Sequence, residues 1–110
     1  MQESFVYILE CRNNGARVYY YTGMSTRIAA RLEEHRNKRC RTTKRFNGNV
    51  SIGYLERFEA RTKTEAISIA HGRELKIKNI KRNKKEMLMR LNRNRTIELM
   101  ERYIDVSCFN

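Results

Sequence analysis

The 110-residue chain contains a single aspartate, Asp105, close to its C-terminus. Enzymes that cleave phosphodiesters with two metal ions commonly surround those ions with several carboxylates, often aspartates. No such cluster can be assembled here. A Walker loop and a glycine-rich dinucleotide turn are also missing, which removes the commonest nucleotide-binding signatures. No apolar run approaches membrane-spanning length, and the N-terminus shows no signal-peptide pattern. The three cysteines, Cys11, Cys40 and Cys108, are odd in number and far apart. They suit neither a disulfide framework nor a zinc site, whose ligands cluster at short spacings. A reduced, intracellular protein is the expectation. Proline is absent, and that carries no functional message. A chain of this length builds one core and not two.

What the chain has in excess is positive charge, +12 net, and it is unevenly placed. Residues 1–35 and 46–72 are each balanced, whereas 36–45 carry six basic groups and no acid. Residues 73–95 hold ten basic groups against Glu74 and Glu86, and the tail from 96 onward is slightly acidic. Charge gathered into two blocks on a balanced background reads as a footprint for a polyanion. A solvated basic face, anionic lipid or ribosomal RNA would also accept it. Nucleic acid is the favoured partner, because no amphipathic membrane helix accompanies the blocks.

Hydrophobic patterning places the elements. Residues 5–11 form a β-rich run suited to a central strand, and Asn13-Asn14-Gly15 supply a hairpin turn to a partner strand over 18–22. Gly23 is expected to break that strand, with Ser25 or Thr26 capping a helix over 27–38. Ile28 and Leu32 would face inward, with Arg27, Arg31 and His35 on a neighbouring stripe. A basic loop (39–49) leads to a third strand over 50–58. A long helix over 64–81 follows, opened by Thr62 or Thr64, with Glu65 at its positive end. Its apolar stripe of Ile67, Ala70, Ile77 and Ile80 holds glutamate at position 74. Shorter helices are expected over 84–92, with Met87, Leu88 and Leu91 inward, and over 95–105, with Ile97, Met100 and Ile104 inward. The order β-β-α-β-α-α followed by a last helix implies an α+β domain, a small, mostly antiparallel three-stranded sheet flanked by helices.

Three groups of residues resemble chemistry. A carboxylate in an apolar stripe is costly to desolvate unless a cation meets it, so Glu74 implies either a salt bridge or a bound ion. Gly72, two residues earlier, costs a helix roughly 1 kcal/mol against alanine and could admit a close neighbour. Arg31 and His35 can together hold a phosphate, although alone they read equally as an exposed basic face. Tyr7, Tyr19, Tyr20 and Tyr21 crowd two paired strands, and alone they read as core. Tyr20 is expected to point into that core. His71 reads as structural.

Taken in order, Phe5-Val6-Tyr7, then Tyr21-Thr22-Gly23, then Arg31, His35, and Glu74 with Ile77-Lys78 resemble the GIY-YIG nuclease superfamily, most of all its compact single-domain members. Phe5, Val6 and Thr22 stand where the namesake motifs have glycine, isoleucine and isoleucine. The resemblance implies a divalent-metal-dependent DNA endonuclease in which Glu74 holds one Mg²⁺ or Mn²⁺ ion, and hard-metal oxygen chemistry agrees with a lone carboxylate. It implies Tyr7 as the general base for water, its phenolate favoured by Arg31 and the metal. Tyr21 and His35 would position the nucleophile or hold the phosphate, and Arg31 would neutralise developing charge.

The basic blocks, with Arg27 from the first helix, supply the expected nucleic-acid contacts: Arg27, Lys38, Arg39, Arg41, Lys44, Arg45, Lys78, Lys81, Arg82, Lys84 and Lys85. The nuclease unit is expected over residues 1–92, with a C-terminal helix in 93–110 packed on it. One site cuts one strand, so a homodimer or a targeting partner is a further expectation. The competing reading is a non-catalytic nucleic-acid-binding module of the same fold.

Overall fold

The computed structural model describes residues 1–13, 15 and 17–104. Three strands, β1 (Gln2–Arg12), β2 (Val18–Ser25) and β3 (Val50–Ala60), form one antiparallel sheet in the order β2-β1-β3. The helices are α1 (Ile28–Arg36), α2 (Lys63–Lys78), α3 (Arg82–Leu91) and α4 (Arg93–Tyr103), with a short 3₁₀ turn at Lys44–Phe46. This is the α+β architecture expected from the sequence. Position 14 of the expected hairpin turn, Asp105 and Cys108 lie outside the described residues. Among the described residues no helix is long and apolar enough to cross a membrane.

β1 is paired on both sides and covered on both faces, so its run from Ser4 to Leu9 is buried without polar alternation. Its odd residues Phe5, Tyr7, Leu9 and Cys11 join Leu32 of α1 and Leu99 of α4 in one cluster. Its even residues Val6 and Ile8 pack with Ala70 and Ile77 of α2 and Met89 of α3 in another. Cys11 and Cys40 are buried and unbridged.

Glycines and caps set the register. Thr62 opens α2 by accepting the Glu65 N–H at 3.1 Å. Gly48 has φ of 76°, and a Cβ there would strike the Arg36 carbonyl, so only glycine can turn the chain this close to α1. Gly53 is the extra residue of a β-bulge in β3, between the Ile8–Tyr54 and Leu9–Ile52 pairs. The missing side chain there seats Met89, whose Sδ would lie 2.5 Å from a Cβ.

Several local expectations need correction. Gly23 does not end β2, which runs on to Ser25. The strand continues because Gly23 pairs directly with Tyr7 and makes room for its ring. α1 is shorter than expected, with Arg27 as its N-cap and Ser25 Oγ accepting the Arg27 N–H at 2.9 Å. Gly72 admits no close neighbour; the space beside it is open. Met87 (49% exposed), Leu91 (73%) and Ile97 (41%) face outward. α3 docks instead through Met89 with Leu88, and α4 through Leu99 and Thr96, whose Oγ1 accepts the Leu55 N–H. Ile67 is likewise exposed, because α2 turns Ala66, Ala70 and Ile77 to the sheet.

Candidate active site

Tyr7 lies at the centre of β1, and the Gly23 pairing brings its ring against β2. From β2, Tyr21 presents a half-buried ring 6.4 Å from Tyr7 and 5.2 Å from the His35 ring, centroid to centroid. His35 was expected on a phosphate-holding stripe. It is fully buried instead, because it follows Leu32 by three residues on a helix too short to turn away from the sheet. Its Nε2 stands 3.0 Å from Tyr7 Oη and its Nδ1 2.7 Å from Thr43 Oγ1.

Burial pushes the Tyr7 phenol well above its ordinary pKa, and Arg31, which lies beside its oxygen, opposes this only in part. The expected phenolate is therefore not formed by Arg31 alone. Burial, reinforced by the Arg31 charge, pushes His35 down to about 4, so its imidazole is neutral at neutral pH. With a protonated phenol beside a neutral imidazole and Arg31 aimed at the phenol oxygen, one arrangement leaves neither the phenol nor the imidazole donor idle. Tyr7 O–H donates to His35 Nε2, and His35 Nδ1–H donates to Thr43 Oγ1. The result is a buried proton wire of three side chains.

Arg31 is half-buried and donates to Glu34 Oε2 at 3.0 Å, while Arg27 approaches the same carboxylate at 3.8 Å. Glu34 thus holds in place the cation expected to meet a phosphate. Neither Glu34 nor Thr43 was found from the sequence. Thr43 gave no signal beyond being one of two adjacent threonines in a basic loop.

Glu74 stands apart. It projects from the sheet-facing stripe of α2, between Ala70 and Ile77, with its side chain 12% exposed. Its nearest nitrogen neighbours are loosely placed, His71 Nδ1 at 3.5 Å and Lys78 Nζ at 3.8 Å. Among the described residues no hydrogen bond or ion pair joins it to Tyr7, Tyr21, Arg31 or His35. The four lie on the α1 side of the sheet and Glu74 on the helix covering the other. Nor do three or more His, Cys, Asp or Glu side chains converge anywhere among the described residues. Glu74 by itself fits a hard cation that keeps most of its shell as water and phosphate oxygen.

The basic blocks converge as well. Arg45 from the first block and Arg82 and Lys85 from the second line one cleft against β2. Lys38, Arg39, Arg41, Lys44, Lys81 and Lys84 are exposed, and Arg27 and Lys78 sit beside the Glu34 and Glu74 carboxylates.

An antiparallel three-stranded sheet flanked by helices is the fold of a family whose members are nucleases. The model of the GIY-YIG catalytic domain matches residues 3–87, and the chain belongs to that family. No curated protein and no solved structure gives a significant match. Membership makes a nucleic acid the substrate. Phe5, Val6 and Thr22, which depart from the namesake motifs, sit in regular β pairing opposite Ser25, Met24 and Ile8.

Proposed function

We infer that this chain is a divalent-metal-dependent DNA endonuclease that hydrolyses one phosphodiester bond at a time with water as the nucleophile. The observation that carries the reading is Glu74, a carboxylate largely withdrawn from water whose ion pair with Lys78, at 3.8 Å, is loose. Burial of that kind is unfavourable unless a closer cation completes it. Mg²⁺ or Mn²⁺ held by Glu74 would polarise the scissile phosphate and offset charge on the leaving oxygen. Lys78 would release Glu74 and turn to a phosphate oxygen.

On the other side of the sheet, Tyr7 would take a proton from the attacking water as it passes its own to His35 Nε2. Thr43 holds the imidazole in the tautomer that can receive it. Arg31, released from Glu34, would meet the phosphoryl oxygens, and Tyr21 would fix the water or the phosphate between them. A phosphodiester touching both groups would lie across β2. The proposed nuclease unit is residues 1–92, braced by the helix in 93–110. A double-strand break would need a homodimer, a targeting partner or two visits, and the unbridged Cys11 and Cys40 suit an intracellular setting.

The test is incubation with plasmid DNA and Mg²⁺ or Mn²⁺, with a chelator control, for wild type and Glu74→Ala. Loss of nicking with DNA binding kept or improved is expected, since the variant removes one negative charge facing phosphate. Normal cutting by Glu74→Ala would overturn the assignment. One observation favours the non-catalytic binding module: Tyr7 and His35 are both fully buried. That reading expects salt-sensitive DNA binding and no cleavage with either metal.

A further inference from the structure

β2 is an edge strand, and a cleft of about 280 Å³ opens against it. Tyr19, Tyr20 and Tyr21 line the cleft together with Arg45, Arg82 and Lys85. Successive strand residues point to opposite faces, so Tyr19 and Tyr21 lie on one side of the sheet and Tyr20 on the other. Three consecutive rings can line one cleft only where it wraps around a free strand edge.

Cations are layered on those rings. Arg17 and Arg45 each lie over the Tyr19 ring at 5.2 Å, and Arg82 lies over Tyr20 at 4.3 Å. Among the described residues neither Arg45 nor Lys85 has an acidic partner within ion-pair distance, so their charge is available to a ligand. Arg82 is shared with Glu86, which also accepts the Tyr20 hydroxyl and so fixes α3 against the cleft.

The cleft borders the candidate active site. Tyr21 lines it and packs on His35, and Thr43, another lining residue, bonds His35 Nδ1. A bare phosphate or lipid headgroup would use the cations and leave the rings idle. A nucleotide uses both, because bases stack on tyrosine rings and guanidinium planes while cations hold the phosphate. The volume sits at the small end of the roughly 300–1,000 Å³ usual for ligand pockets, room for one base and not for a base pair.

We propose that this cleft receives one unpaired nucleotide of DNA beside the scissile phosphate. The base would stack on Tyr19, and the phosphate would rest on Arg45 and Lys85. The preferred substrate is then DNA with an unpaired nucleotide at the cut, such as a bulge, flap or bubble. An intact duplex must first break a pair to fill the cleft. The word "scissile" rests on the nuclease reading; the base-binding cleft does not.

The experiment measures binding of full-length wild type in chelator, by fluorescence anisotropy at one fixed salt concentration. The probes are a paired duplex, the same duplex with one bulged thymidine, and the same bulge made abasic. The bulged thymidine should bind about 5- to 150-fold tighter than either control, the span expected for stacking one base. Tyr19→Ser should bring its affinity toward that of the abasic bulge. Because Tyr19 also packs on Phe46, Arg45→Gln is the second variant, and it should weaken the thymidine bulge as well.

Equal affinity for base-bearing and abasic bulges overturns the cleft assignment, and tighter binding of the matching RNA overturns the assignment to DNA. Adding Mn²⁺ separates the two readings. Base-selective binding without cleavage keeps the cleft and loses the nuclease. Cleavage indifferent to the base does the reverse.

Discussion

Gly23→Ala tests the placement of Tyr7 more directly than removal of Tyr7 itself. Gly23 has no positive φ, so alanine is compatible with its backbone and any effect must come from space. A Cβ there would stand 2.6 Å from Tyr7 Oη, 2.7 Å from its Cζ and 3.0 Å from Tyr21 Cε1. Ordinary contact begins at 3.4 Å, so the Tyr7 hydroxyl must retreat by about 0.8 Å. The ring is fully buried and its oxygen is 3.0 Å from His35 Nε2, so it can only press on the imidazole or leave it. Overpacking of this kind costs about 1–3 kcal/mol. Losing a working proton acceptor costs about 10²–10⁴ in rate.

The control is Gly72→Ala, at an exposed helical position where nothing lies within 4 Å. It should stabilise by about 0.5–1 kcal/mol and leave cleavage alone. Urea unfolding and single-turnover DNA cleavage, read side by side, give both numbers. If Gly23→Ala unfolds at the wild-type midpoint and cuts at the wild-type rate, the Tyr7–Gly23 contact and the proton wire built on it are wrong.

Thr22 Oγ1 is buried without a hydrogen-bond partner, so Thr22→Val should stabilise by about 1 kcal/mol, seen as a rise in thermal midpoint; a fall of that size would show a bond not accounted for. His35 is held at about 4, below its ordinary value, so the unfolded chain takes up its proton first as pH falls. Its contribution is therefore fully present above about pH 6.5 and is lost on the way down to 4, on the order of 3 kcal/mol. Wild-type stability should fall more steeply over that window than that of His35→Gln, and parallel profiles would refute the burial argument. For DNA binding, log K should fall linearly with log salt, and Lys85→Gln should lower the slope by about 1 if that lysine meets a phosphate. An unchanged slope would remove Lys85 from the interface.

The fold was legible wherever one residue's chemistry decided an element. The β-rich run around Tyr7 suited a central strand, and the Thr62–Thr64 pair with Glu65 marked the start of α2, where Thr62 proves to be the cap. Glu74 stood out because a carboxylate interrupted an otherwise apolar stripe. The rest depended on neighbours distant in sequence. Gly23 reads as a breaker until Tyr7 is seen across from it. Met87 and Leu91 form as good an apolar face as Leu88 and Met89, and only the notch at Gly53 selects Met89. Thr43 matters solely because His35 turns inward to meet it, which no local pattern announces.

The sheet order has a kinetic consequence for the site. Tyr7 sits on a strand bonded along both sides, so its backbone amide can exchange with solvent only when the whole sheet comes apart. Tyr21 and the aromatic run around it belong to a strand held from one side alone, which can lift locally while the core stays intact. The proposed site thus has a fixed anvil and a compliant jaw. Hydrogen exchange should slow in residues 18–25 when DNA is bound, with little change in the central strand.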